Sequence, residues 1–198
     1  MIYVNIQIET LLFKLLDNAG YVNSTNNKII ETGIKHITYL LKDFFFVFIV
    51  SLILHNFMSG VVMETAYFLL RIYAGGYHAN EEKKCKILTR LNIVIGLLFI
   101  TYFQISDFLL HILIGIGSLL IYELAPVENS KRKLGKYEKY EFKKKIRIIL
   151  LVILLIYIIV GFICNKKIMK AITYDIIVIS VGLIVEIVKK SKRSIENY

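Results

Sequence analysis

The sequence predicts an all-α, polytopic membrane helix bundle, and three observations carry that prediction. The 198 residues are 57% apolar, and their mean hydropathy is +0.63. Apolar residues gather into six segments, whereas a soluble domain is nearer half apolar and far more evenly mixed. The 25 Lys and Arg residues exceed the 15 Asp and Glu, for a net charge of +10, and they concentrate between the segments. Disorder requires low hydrophobicity and is excluded. Two cysteines cannot build a disulfide framework. One proline and 11 glycines exclude collagen-like and linker-like chains. A basic chain can also bind nucleic acid, but these apolar runs leave little soluble surface for it, so no nucleic-acid partner is expected. The partner implied by the charge is the bilayer with its anionic headgroups.

A helix needs roughly 20 residues to cross about 30 Å of hydrocarbon. The first segment runs from about Ile37 to Leu54 around FFFVFIVSLIL. The second, Val61–Tyr73, is short and contains Glu64. The third, Leu91–Phe103, is also short. Phe108–Leu124, Ile146–Cys164 and Ala171–Val188 complete the set. Connections of a few residues (HNFMSG, QISD, NKKIMK) make consecutive segments helical hairpins. Six spans is the primary expectation; four spans with two re-entrant segments is the alternative.

With both termini, the 71–90 stretch and the 126–146 connection together with Arg147 on one face, that face carries 21 of the 25 basic residues. The positive-inside rule makes that face cytoplasmic. The chain reads as a single integral-membrane domain with a distinct N-terminal region, 1–36. There Ile8, Leu11, Leu12, Leu15 and Leu16 recur at i, i+3, i+4, i+7 and i+8, the spacing of an amphipathic helix. That helix is too polar to span, and it can lie on a leaflet or dock on protein. MIYVNIQIET lacks a basic n-region, so no signal peptide is expected.

The stretch RIYAGGYHANEEKKCK, Arg71–Lys86, differs from everything around it. Gly75 and Gly76 break a helix and permit positive φ. Asn80 suits an N-cap, and Glu81 and Glu82 suit a first turn, so a helix is expected from about Asn80. Cys85 lies seven residues after His78, about two helical turns, which lets both side chains share a face. The pairing matters because the thiolate is the nucleophile, and an adjacent imidazole can take its proton. Arg71, Lys83, Lys84 and Lys86 add a positive field, and the Gly-Gly turn offers backbone N–H groups for an oxyanion. Against this, a lone membrane cysteine is commonly a small apolar filler, the role expected of Cys164. No metal is expected: His36, His55 and His111 are scattered, and two ligands are too few for zinc. The third catalytic member stays open among Glu64, Asn80 and Glu123. Glu64 is conspicuous because an ionisable group inside a membrane is costly.

The run Arg71-Ile72-Tyr73-Ala74-Gly75-Gly76-Tyr77-His78-Ala79, followed by Cys85, resembles the active-site segment of the accessory gene regulator B (AgrB) family. The similarity extends to chain length, the amphipathic N-terminus, the order of apolar segments and the Ala-Pro-Val-Glu turn at Ala125–Glu128. It implies a cell-membrane cysteine endopeptidase of bacterial peptide quorum sensing that needs no cofactor. Members remove the C-terminal tail of a small AgrD-type propeptide and close the remainder into a thiolactone or lactone. By that resemblance Cys85 is the nucleophile, His78 the general base, and Arg71 and Gly75 match positions tied to activity. The propeptide family has an acidic tail, for which Lys131, Arg132 and Lys133 open a basic connection. The same lysines are also a plain positive-inside signal. Paired spans are compatible with a homodimer. Two non-catalytic alternatives stand beside this reading: a small transporter or exporter, and a membrane scaffold.

Overall fold

The computed structural model describes residues 2–23, 26–77, 81–128 and 134–196. Seven helices follow one another: α1 (Ile2–Asn18), α2 (Asn27–Ile53), α3 (Phe57–Ala74), α4 (Glu82–Tyr102), α5 (Asp107–Leu124), α6 (Lys136–Phe162) and α7 (Lys166–Glu196). Each expected apolar segment matches one helix from α2 to α7, three of them running one or two residues past the helix end. Five helices, α2 and α4 to α7, are long and apolar enough to cross a membrane. The second expected segment lies in α3, an 18-residue helix whose Glu64 and Arg71 lower its hydropathy.

The chain divides into two compact units, Met1–Phe46 and Val47–Tyr198. In the first, α1 ends where the polar run 18–27 predicts a loop. Its chain reversal uses Gly20 at φ +77°, and the Asn26 side chain closes the loop by donating to the Tyr21 carbonyl (2.9 Å). Leu11 and Leu15 are exposed.

The second unit is organised around α7, which packs on α3, α5, α6 and α4. Ile172, Ile176, Ile179 and Leu183 are fully buried, at the i, i+4, i+7, i+11 spacing of one helix stripe. Small residues admit the neighbours. A Cβ on Gly117 of α5 would meet Ile176 Cγ2 at 2.6 Å, and one on Gly96 of α4 would meet the Tyr174 ring at 2.6 Å. Without a hydrophobic force between helices in lipid, such close backbone approach supplies van der Waals contact. Polar links add to it. The Tyr174 hydroxyl donates to the Asn92 carbonyl (2.9 Å), and Ser180 donates to the Gly117 carbonyl (2.9 Å). The Lys170 ammonium caps the end of α4 by donating to Ile100 O (2.6 Å) and Phe103 O (3.0 Å), satisfying carbonyls that a helix end leaves open.

Polarity is distributed inside out. Leu151, Val152, Leu155, Ile156 and Ile159 of α6 face outward, while Thr173, Asp175, Ser180 and Glu186 of α7 are buried. A surface of aliphatic side chains suits hydrocarbon, and polar groups retreat to the interior, where other helices can meet them.

Candidate active site

The distinctive stretch begins on the last turn of α3. Helix α3 stops because Gly75 takes φ +74°, ψ −135°, a conformation essentially reserved for glycine. Gly76 follows at φ +102°. These angles are used to bring backbone against backbone. Gly75 pairs with Val127 in a short parallel bridge, and the Val127 N–H donates to the Ala74 carbonyl (2.9 Å). A Cβ on Gly75 would sit 2.2 Å from the Val127 carbonyl oxygen. The Tyr77 N–H donates to the Gly182 carbonyl of α7 (3.0 Å). The Ala125–Glu128 turn, part of the family resemblance, thus serves as a strut for the Gly-Gly turn.

Arg71 completes the arrangement. Its guanidinium donates to the Gly75 carbonyl (2.5 Å) and to the Tyr77 carbonyl. A planar fork holds its two carbonyls in one fixed geometry, which the rotatable ammonium of a lysine does not. Arg71 therefore acts on the backbone of the turn. The oxyanion role expected for the turn's N–H groups is likewise narrowed, because the Gly75 N–H donates to Arg71 O (3.3 Å) and the Tyr77 N–H to Gly182.

Cys85 is the fourth residue of α4, half-buried and in no disulfide. A helix start presents unsatisfied N–H groups and a partial positive charge, which favour thiolate. The expected cap is corrected: the residue at the cap position is Glu81, with no side-chain cap bond. Glu81 is also extended (φ −103°, ψ 138°), so no single helix carries both ends of the seven-residue spacing. His78 and Asn80 lie outside the described residues, as do Lys131, Arg132 and Lys133. Of the supposed cationic field, Lys84 pairs with Glu81 (2.8 Å) at the exposed surface, where such pairs are screened.

Behind the turn, Glu64 on α3 is 5% exposed and Asp175 on α7 is 1% exposed. Glu64 lies within electrostatic reach of Asp175. Tyr67, one turn along α3, is in reach of Arg71, Asp175, Glu64 and Cys85. Glu64 and Asp175 are thus a buried acidic pair on α3 and α7, and Tyr67 is within electrostatic reach of both and of Cys85. Glu123 is exposed near the end of α5. Asp175 was missed in the sequence, although the signal that exposes Glu64, one acid in an apolar run, is present in AITYDIIVIS. Cys164 corrects another expectation: it is exposed, at φ +56°, and does not fill a core. Among the described residues, no three His, Cys, Asp or Glu side chains could hold a metal ion.

These features define a class, a helical membrane protein with a cysteine at a helix start beside a braced glycine turn. The accessory gene regulator B family model matches residues 8–185, and the chain belongs to that family. Similar proteins named accessory gene regulator protein B include those of Staphylococcus haemolyticus, 32% identical over 54% of this chain and 56% of the relative, and of Staphylococcus saprophyticus, 26% identical over 67% and 68%. The Staphylococcus epidermidis protein is 22% identical over 86% and 89%. The alignment with the S. haemolyticus protein spans just over half of that relative's length. No solved structure matches significantly.

Proposed function

We propose that this chain is a membrane-embedded cysteine endopeptidase of an accessory gene regulator quorum-sensing system. It removes the C-terminal tail of an AgrD-type propeptide and closes the remainder into a ring. The observation that supports this reading is the half-buried Cys85, in no disulfide, on the first turn of α4, shortly after the braced turn that leads into His78.

In this mechanism the Cys85 thiolate attacks the scissile carbonyl. His78 gives a proton to the departing amine of the tail, and a thioester acyl-enzyme forms. A Cys or Ser of the substrate then attacks the thioester, its proton passes to His78, and the Cys85 thiolate leaves. Thiol for thiol is nearly even in energy, so the ring forms only where hydrolysis is slow. A site at the membrane interface excludes water and holds the internal nucleophile close. Lys131, Arg132 and Lys133 attract the acidic tail; their connection leaves the bundle at Val127, which is bonded to the active-site turn. The cytoplasmic face carries both termini and this site, and two copies form a homodimer.

The test is co-expression with a matching precursor, followed by mass spectrometry. Wild type should shorten the precursor and accumulate a hydroxylamine-sensitive adduct; Cys85→Ala and His78→Ala should each lose cleavage by about 1000-fold or more. Cleavage by Cys85→Ala at the wild-type rate refutes the assignment. One observation favours a second reading, a transporter: Glu64, Asp175 and Glu186 are all buried in the helical unit, and buried acids line ion and substrate paths. That reading predicts substrate flux that survives Cys85→Ala.

A further inference from the structure

The residue just before His78 is held on every side. The Tyr77 N–H donates to the Gly182 carbonyl of α7 (3.0 Å). Its own carbonyl accepts from Arg71 of α3. Its ring lies under the Lys189 ammonium of α7, 4.8 Å from the ring centre. The peptide before it is constrained too, because a Cβ on Gly76 would meet the Arg71 guanidinium at 2.7 Å and the Gly182 carbonyl carbon at 3.3 Å. Few reasons exist to spend a backbone donor, a backbone acceptor and an aromatic face on one turn residue. The residue it delivers is the histidine.

We propose that Tyr77 is a positioning residue of the active site, with Gly182 and Lys189 of α7 and Arg71 of α3 as its anchors. It sets where the chain enters His78, and through His78 it sets the proton transfer at Cys85. The proposal rests on the peptidase reading. It adds that α7, remote in sequence from the catalytic stretch, belongs to the machinery. The grip is on backbone and ring, so side chains matter only where they supply the ring or the cation. The tyrosine hydroxyl has no part in it.

Two measurements test this on the full chain in proteoliposomes. The first is independent of activity. Tyr77→Cys with Gly182→Cys, in a Cys85→Ser, Cys164→Ser background, should cross-link under mild oxidation. A Cβ at 182 would lie 3.9 Å from the Tyr77 backbone nitrogen, so the two backbones approach closely at the positions to be linked. The second is steady-state cleavage of the matching precursor. A shift of about 1 Å in a catalytic group can cost on the order of 100-fold, so Tyr77→Ala should lower kcat by about that factor with KM unchanged. Tyr77→Phe should retain the wild-type rate. Lys189→Ala should lose about 2- to 5-fold, the worth of an exposed cation–π contact, and Lys189→Arg should restore it. If Tyr77→Ala fails to fold, the Lys189 pair decides. The proposal is overturned by failure to cross-link, by wild-type kcat in Tyr77→Ala, by a change in KM alone, or by no difference between Lys189→Ala and Lys189→Arg. If the wild-type chain leaves the precursor intact, the peptidase reading falls and takes the proposal with it.

Discussion

Arg71 shows how differently one residue reads in a sequence and in a fold. As a positive charge near a cysteine it suggests a field that favours thiolate. In the structure its guanidinium is divided between the Gly75 and Tyr77 carbonyls, and its contribution is shape. Charge is visible in a sequence, but the carbonyls it meets are set by backbone angles that two glycines only permit. The consequence is measurable. Arg71→Lys keeps the charge and loses the fork, so cleavage should fall at least 10-fold while Cys85 still alkylates. Gly75→Ala should do more harm, since its Cβ collides with the Val127 carbonyl in a backbone region costing about 1–3 kcal/mol for other residues. A Gly75→Ala enzyme with normal cleavage and thermal stability would show that the strut is dispensable. Asp175 was overlooked for a different reason: the single acid sits in an apolar run as legible as that of Glu64, but only the packing of α3 on α7 makes the two neighbours.

At the scale of elements, hydropathy located α2 and α4 to α7 well because each must present an apolar surface along its whole length. Ends were harder. The start of α4 falls at Glu82, after an extended Glu81, because the chain has first to complete its backbone contacts with Val127 and Gly182. Those partners lie 50 and more residues away and leave no local trace. The central place of α7 was equally hidden. Its composition matches the other spans, yet four helices pack on it. Gly117 is where α5 comes closest, and Gly117→Leu places a side chain where Ile176 already sits. Overpacking of this kind costs about 1–3 kcal/mol. The variant should unfold several degrees earlier in detergent, while Gly115→Leu, at a position with open space, should not. Equal melting temperatures would contradict the tight α5–α7 contact.

For the whole molecule, the alternation of apolar helices and short connections predicted a bundle, and the all-helical fold agrees. Sidedness rests on charge counting alone and can be checked with the two natural cysteines. Cys85 lies near the start of α4 and Cys164 follows α6; three helices long and apolar enough to cross, α4, α5 and α6, separate them, so the two are expected on opposite membrane faces. In intact cells, an impermeant maleimide should label Cys164 in Cys85→Ser and should leave Cys85 unlabelled in Cys164→Ser until the membrane is opened. The reverse pattern would invert the topology. Neither cysteine should pair with the other under oxidation.

The contact between Tyr77 and Gly182 also has a consequence in time. A ribosome delivers residues 71–85 early, while the carbonyl that accepts the Tyr77 N–H and the ammonium over its ring belong to the last fifth of the chain. A nascent protein therefore carries its thiol through most of synthesis with the turn lacking its two contacts to α7. On the proposed peptidase reading, a chain that stops before α7 lacks both of these anchors and is expected to leave the precursor uncut.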